Sequence, residues 1–224
     1  MPQPASARRL LEVIALDAVD AEAAQRGGAD RLELVTDMAA DGLSPSPSTV
    51  SAIKAACDLP VRAMVRVSPD FLAADVPRLR DRAAALADAG ADGLVIGFLT
   101  RDGGLDVDAM TQVAAAGGVP WTCHRAVDHA ADHRAAVARA AALPGVDQIL
   151  TAGSPAGLAE GAARVAECAA AAPVMAGGGL TEHHVPGLLA AGVTAFHIGS
   201  AARDDWDSPV DPARVAGWRA LLDR

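Results

Sequence analysis

Four times along the chain an alanine-rich, helix-like stretch ends in glycine and is followed at once by a short apolar run. The junctions are Arg26-Gly-Gly-Ala-Asp30, Ala89-Gly-Ala-Asp92, Pro144-Gly-Val-Asp147 and Ala191-Gly-Val193. Glycine is the common stop of a helix, so a strand that starts right after it implies regular alternation with short connections. The runs that read as strands are Leu11–Leu16, Arg31–Thr36, Val61–Val67, Gly93–Leu99, Trp121–Arg125, Gln148–Thr151, Val174–Gly177 and Ala195–Gly199. Most are continuously apolar rather than alternating, as strands covered on both faces should be. Helical patterns fill the gaps at Val19–Arg26, Pro47–Ala56, Val76–Ala89, Val107–Ala116, Ala131–Ala142, Leu158–Ala171 and Glu182–Ala191, and a last one at Pro212–Leu222 closes the chain. Eight repeats of this unit over 224 residues predict an α/β protein with the (β/α)8 barrel architecture. An open doubly wound sheet alternates in the same way, but it normally carries a Gly-x-Gly-x-x-Gly turn after its first strand. Here Ala15-Leu-Asp-Ala-Val-Asp20 follows instead. Residues 1–224 are expected to form one domain, with residues 1–9 a flexible N-terminus.

Composition narrows the function. A hydrophobic share of 51% excludes a disordered chain, and a net charge of −9 disfavours nucleic acid or an anionic membrane surface as partner. No run of about 18 apolar residues spans a bilayer, and the N-terminus lacks the apolar region of a signal peptide. Cys57, Cys123 and Cys168 are too scattered for a disulfide framework, so a cytoplasmic protein with reduced thiols is expected. Lys54 is the one lysine and falls in a predicted helix, which argues against a Schiff-base mechanism.

In a barrel the chemistry belongs at the carboxyl ends of the strands. Glu12 and Glu33 occupy like positions in the first two strands, each with apolar neighbours on both sides. A carboxylate in such a run must face a polar interior, and Arg66 on the third strand is the expected partner. The set is either a buried ion cluster or a ligand-facing one. Trp121-Thr-Cys-His-Arg-Ala-Val-Asp128 places His124 and Arg125 at a strand end, with Asp128 close enough to fold back and orient either. Cys123 and His124 are candidate metal donors, although neighbours on a strand point to opposite faces. Gly177, Gly178 and Gly179 after the seventh strand, with His197 and Ser200 on and after the eighth, are candidates for holding a phosphate or similar ligand. His129 and His133, and His183 and His184, read as solvated helix starts.

Leu11-Glu-Val13, Gly28-Ala-Asp-Arg-Leu-Glu-Leu34, Asp41-Gly-Leu-Ser-Pro-Ser46, Met64-Val-Arg66, Gly90-Ala-Asp-Gly-Leu-Val-Ile-Gly97, Leu99-Thr-Arg-Asp-Gly103, His124-Arg-Ala-Val-Asp128 and Gly177-Gly-Gly179 run in one order over most of the chain. In that order they resemble the CutC family of copper homeostasis proteins. The resemblance implies a (β/α)8 barrel, a cytoplasmic oligomer such as a homodimer, and copper as the bound ion. It also implies that Glu12, Glu33, Arg66, His124, Arg125, Asp128, His197 and Ser200 line the mouth. Where the family often has cysteine after the first and second strands, this chain has Ile14 and Val35. Cys123, Met64 and Met175 remain as soft donors. On the residues alone, the alternative is an enzyme that acts on a small anionic or phosphorylated metabolite by acid–base chemistry at the same mouth.

Overall fold

The computed structural model of the chain describes residues 8–224. Eight parallel strands close into a barrel in sequence order: β1 (Leu10–Ala15), β2 (Arg31–Leu34), β3 (Val61–Met64), β4 (Gly93–Ile96), β5 (Trp121–Cys123), β6 (Val146–Thr151), β7 (Val174–Ala176) and β8 (Ala195–Ile198). Closure comes from β1 pairing with β8, where Glu12 lies opposite His197. The helices are α1 (Ala18–Arg26), α2 (Pro47–Ala56), α3 (Val76–Asp88), α4 (Val107–Gly117), α5 (His133–Ala141), α6 (Leu158–Ala169), α7 (Val185–Ala190) and α8 (Pro212–Leu222). The expected barrel is therefore the observed one.

Local chemistry sets the helix starts. Asp17, Ser46, Asp75, Asp106, Asp132 and Asp211 each accept a backbone N–H of the first turn. Each such cap is worth about 1 kcal/mol. Capping by Asp132 also explains why α5 begins at His133 and not at Ala131. The stretch expected as one helix from Glu182 begins instead with a 3-10 turn, Glu182–His184, before α7.

Strands end earlier than their apolar runs suggest. β3 stops at Met64, yet Val65 is fully buried. Val65 N still donates to Val95 O at 2.9 Å, so a last backbone bond to the neighbouring strand continues past the regular ladder while the side chain packs into the core. Likewise β5 stops at Cys123, and Arg125–His129 form a 3-10 turn.

Alternation along each strand sorts residues into two layers. Leu11, Val13, Leu32, Leu34, Ala63, Leu94, Ile96, Cys123, Ile149, Phe196 and Ile198 face the helices in one large core. Inside the barrel the apolar residues form two small separate groups, one with Ile14, Val35, Met64 and Val95 and one with Leu150, Met175 and Ala195. Polar side chains separate them.

At the far end from the mouth, Arg62 pairs with Asp147, and Asp30 accepts Arg219 at 2.6 Å and Arg8 at 2.6 Å. Of the N-terminal stretch expected to be flexible, residues 1–7 lie outside the described residues. Arg9 donates to Leu222 O and so ties the start of β1 to α8. Among the described residues no helix is long and apolar enough to cross a membrane.

Candidate functional site

Glu12 and Glu33 both point into the barrel, as their shared pattern predicts, but they meet different neighbours. Glu12 is fully buried and accepts Arg31 Nε at 2.5 Å and shares a hydrogen bond with His197 Nδ1 at 2.9 Å. Burial alone would raise its pKa; the Arg31 charge and the His197 contact outweigh that and bring it to about 2. Glu33 is 3% exposed, its Oε2 lies 3.6 Å from His197 Nε2, and its Oε1 has no hydrogen-bond partner among the described residues. Burial, reinforced by the nearby Glu12 charge, pushes Glu33 up to about 7 despite the pull of His197. The imidazole of His197 sits between the two carboxyls. Burial works against its charged form, but Glu33 and Glu12 more than compensate and raise its pKa.

Arg31, not Arg66, is thus the partner of Glu12. The expected Arg66 pairing does not form, because Arg66 stands nearer the mouth, two inward positions beyond the Arg62 that lies opposite Glu33, and is used up by backbone. Its Nη1 donates to Ala40 O at 2.8 Å and to Asp41 O and Gly42 O at 3.1 Å each; Nε reaches Asp70 O at 3.3 Å and Nη2 reaches Pro69 O. The guanidinium also lies 4.5 Å from the Phe71 ring centre. Asp37 and Asp41, both in the left-handed region at φ 49° and 57°, flank the turn whose carbonyls Arg66 collects. Arg66 is therefore a clamp on two rim loops, and it does not line the cavity.

The stretch after β5 divides its residues by role. Cys123 faces the helix layer, is fully buried, and donates weakly to His124 O at 3.8 Å. Burial pushes its thiol up to about 12, so it stays protonated. His124 turns the other way into the barrel mouth, 5.8 Å from Phe71 between ring centres, and its Nδ1 has no hydrogen-bond partner among the described residues. Burial, joined by the positive charges of Arg66 and Arg125, lowers its pKa to about 3, so it is a neutral hydrogen-bonding group near pH 7. The strand therefore separates the two expected metal donors.

Asp128 folds back, as expected, and orients Arg125. Its Oδ1 accepts Thr151 Oγ1 at 2.6 Å and Gly153 N at 3.0 Å, while Oδ2 accepts Ala152 N at 2.9 Å and Arg125 Nε at 3.0 Å. Burial opposes its ionised form, but the His133, Thr151 and backbone contacts prevail and hold its pKa below the usual value. With both oxygens engaged, Asp128 serves as a positioning group.

These side chains surround a cavity of about 220 Å³. Its lining is polar at Glu33, His197, His124 and Arg125 and apolar at Ile14, Val35, Met38, Met64 and Trp206. Ser200, Gly178 and Gly179 lie on its rim, whereas Glu12, Asp128 and Gly177 sit behind the wall. The glycines have separate tasks. A Cβ on Gly177 would sit 2.6 Å from Leu150 Cδ1 and 3.0 Å from His197 Cβ; one on Gly178 (φ 81°) would sit 2.7 Å from Arg125 Cζ. Two of the three thus make room for the site's own side chains, and Gly179 opens onto the cavity.

Arg31, Met38, Phe71, Thr151 and Trp206 were not singled out from the sequence as site residues. Arg31 carried a usable signal, since it precedes Glu33 by two residues and so shares its face. The others reach the mouth from loops or act through Asp128, where no periodicity marks them.

A model of the CutC family matches residues 9–202. The chain belongs to the CutC family. It is 35% identical over 207 residues to the human "Copper homeostasis protein cutC homolog", covering 88% of this chain and 75% of that one. A CutC family protein of Xanthomonas axonopodis pv. citri (strain 306) is 36% identical over 84% of this chain and 81% of its own. Among solved structures, a CutC protein from Streptococcus agalactiae superposes with TM-score 0.76 at 24% identity, covering 86% of this chain and 98% of that one. Phosphoribosyl anthranilate isomerase from Thermococcus kodakaraensis shares the fold with TM-score 0.66 at 17% identity, over 96% and 98% of the two chains.

Copper is the ion these names imply, and the residues present do not fit a thiolate cage for it. A soft Cu(I) ion needs converging thiolates or thioethers. The Cys123 thiol is behind the strand and protonated, and Met64 and Met175 belong to different interior groups. Met175 Sδ already accepts Arg31 Nη2 at 3.6 Å. Ile14 and Val35 turn the expected cysteine positions of this CutC chain into apolar wall. No cluster of three or more His, Cys, Asp or Glu suited to a metal occurs among the described residues.

Proposed function

We propose that this CutC protein acts in copper homeostasis from the mouth of its barrel. The observation that carries this reading is its 35% identity, over most of its length, to a protein named for that role. A cytoplasmic location and a homodimer belong to the same proposal, on the strength of the family resemblance. Copper sensitivity of cells deleted for the protein is the test. Loss of copper tolerance restored by the wild-type chain supports the role; tolerance unchanged across a copper series overturns it. Copper binding is its finer form. With the donor set described, we expect Cu(I) affinity no tighter than micromolar, and unaltered by Cys123→Ser, in titration of the reduced chain.

A second reading is favoured by a specific observation: Glu33 Oε1 and His124 Nδ1, both on residues that line one cavity, are buried without partners among the described residues. Groups left unsatisfied in this way suit a bound small molecule. In this reading the mouth acts on a small anionic or phosphorylated metabolite, with Glu33 as the proton-exchanging group, His124 as a neutral hydrogen-bonding group, and Glu12, His197 and Asp128 as positioning residues. A pKa near neutrality is what proton transfer at pH 7 requires, and Glu33 has it. A screen of phosphorylated sugars and acids by thermal shift tests it; the reading fails if no compound raises the melting temperature.

A further inference from the structure

Resting on the small-molecule reading of the mouth, we infer that the cavity seats a small organic oxyanion, with its charged group on the outer edge of Arg125 and a hydroxyl or carbonyl end against Glu33 and His124. Arg125 is the one arginine or lysine among the described residues that line the cavity. Its Nε is committed to Asp128, and its Nη1 and Nη2 have no hydrogen-bond partner among the described residues. Two parallel N–H groups on a planar fork match the edge of a carboxylate or a phosphate. The side chain is 24% exposed and its direction is set in advance. Asp128, which holds it, is itself fixed by Thr151, Ala152 and Gly153, and Gly178 leaves the guanidinium the space it occupies. Arg66 offers a contrast, since its donors already end on loop carbonyls.

Glu33 and His124, near enough to Arg125 to feel its charge, supply the second contact. Glu33 Oε1 and His124 Nδ1 belong to residues 3% and 5% exposed, and neither atom has a partner among the described residues. A buried polar atom without a partner carries a desolvation cost that a ligand hydroxyl or carbonyl would remove. Ile14, Val35 and Met64, in the same lining, offer a surface for a short carbon skeleton. The volume, about 220 Å³, falls below the range of roughly 300–1,000 Å³ common for drug-sized ligands, so the occupant is small. The charged groups facing Glu33 are His197 from β8, Glu12 from β1, Arg31 on its own strand and Arg125 after β5. Asp41 and His129 stand farther out at the rim.

Sulfate is the probe, because it does not titrate between about pH 5.5 and 8.5 and so reports on the protein's groups alone. Titration calorimetry of the full chain is expected to show sulfate bound, with Arg125→Gln weakening it about tenfold and Arg125→Lys by a smaller factor. Glu33→Gln removes a like charge and should tighten sulfate about tenfold at pH 8.5 while leaving it near wild type at pH 5.5. Circular dichroism and melting of each variant separate a lost seat from a lost fold. Sulfate binding indifferent to Arg125→Gln overturns the seat. A Glu33→Gln effect equal at both pH values overturns the placement of Glu33 beside it. If neutral polyols bind the wild-type cavity and no sulfate or short hydroxy acid does, the oxyanion seat fails while the small-molecule reading survives. If none of these probes binds, both fall.

Discussion

Two arginines stand just past the ends of their strands, Arg66 after β3 and Arg125 after β5, and the structure uses them in opposite ways. Arg66 is 2% exposed and ends on five backbone carbonyls from two loops. Arg125 is gripped through one nitrogen by a carboxylate and presents its other two to a cavity. The same contrast divides the carboxylates: Glu12 is met on both oxygens, Glu33 on neither at hydrogen-bond distance. Saturation on one side and open valence on the other distinguish a group that holds the rim together from one that waits for a ligand.

The largest effect should come from the saturated side. Arg66→Ala frees five carbonyls and two loops at once, and should cost about 3 kcal/mol in urea unfolding. A loss under about 1 kcal/mol would mean that the rim does not depend on it. Asp128→Asn replaces one acceptor oxygen by a donor that faces backbone N–H groups, and should cost about 2 kcal/mol by the same measurement.

Glu33 gives a pH signature. Its folded pKa, about 7, lies above the ordinary 4.5, so its contribution to stability is complete below about pH 4.5 and is lost as pH rises to 7. Glu33→Gln lacks this loss. Its stability relative to wild type should therefore climb between these values, by about 1–3 kcal/mol at pH 8. A difference that is flat with pH would place Glu33 with Glu12 among the satisfied groups. The smallest change belongs to Arg125→Gln, about 1 kcal/mol or less, since Asp128 keeps its other donors and the freed end held nothing. Were Arg125→Gln to destabilise as much as Arg66→Ala, the contrast between the two arginines would disappear.

The fold was legible because its signals are local. The limits of α2 and α8 coincide with the expected ones, since Ser46-Pro47 and Asp211-Pro212 each join a cap to a proline at the first helical position. The regular strands end before Val65, His124 and Arg125, although Val65 N and His124 N still bond to Val95 O and Ile96 O of β4. In the site, the inward placement of Glu12 and Glu33 and the contact of Asp128 with Arg125 are legible from alternation and spacing. The true partner of Glu12 was misassigned to Arg66, although Arg31 shares the face of Glu33.

The sequence by itself determined an eight-fold alternation of strand and helix and charge gathered inside a ring of strands. Those properties follow from period, capping and the intolerance of apolar surroundings for charge, which act over a few residues. Only the tertiary structure decided which charges are spent. His197 reaches Glu12 across 185 residues because the barrel closes β8 onto β1, and Arg66 ends on carbonyls that have no signature in any side chain. Whether a buried polar atom has a partner depends on distances of a few tenths of an ångström between segments far apart in the chain. Closure of the barrel sets those distances.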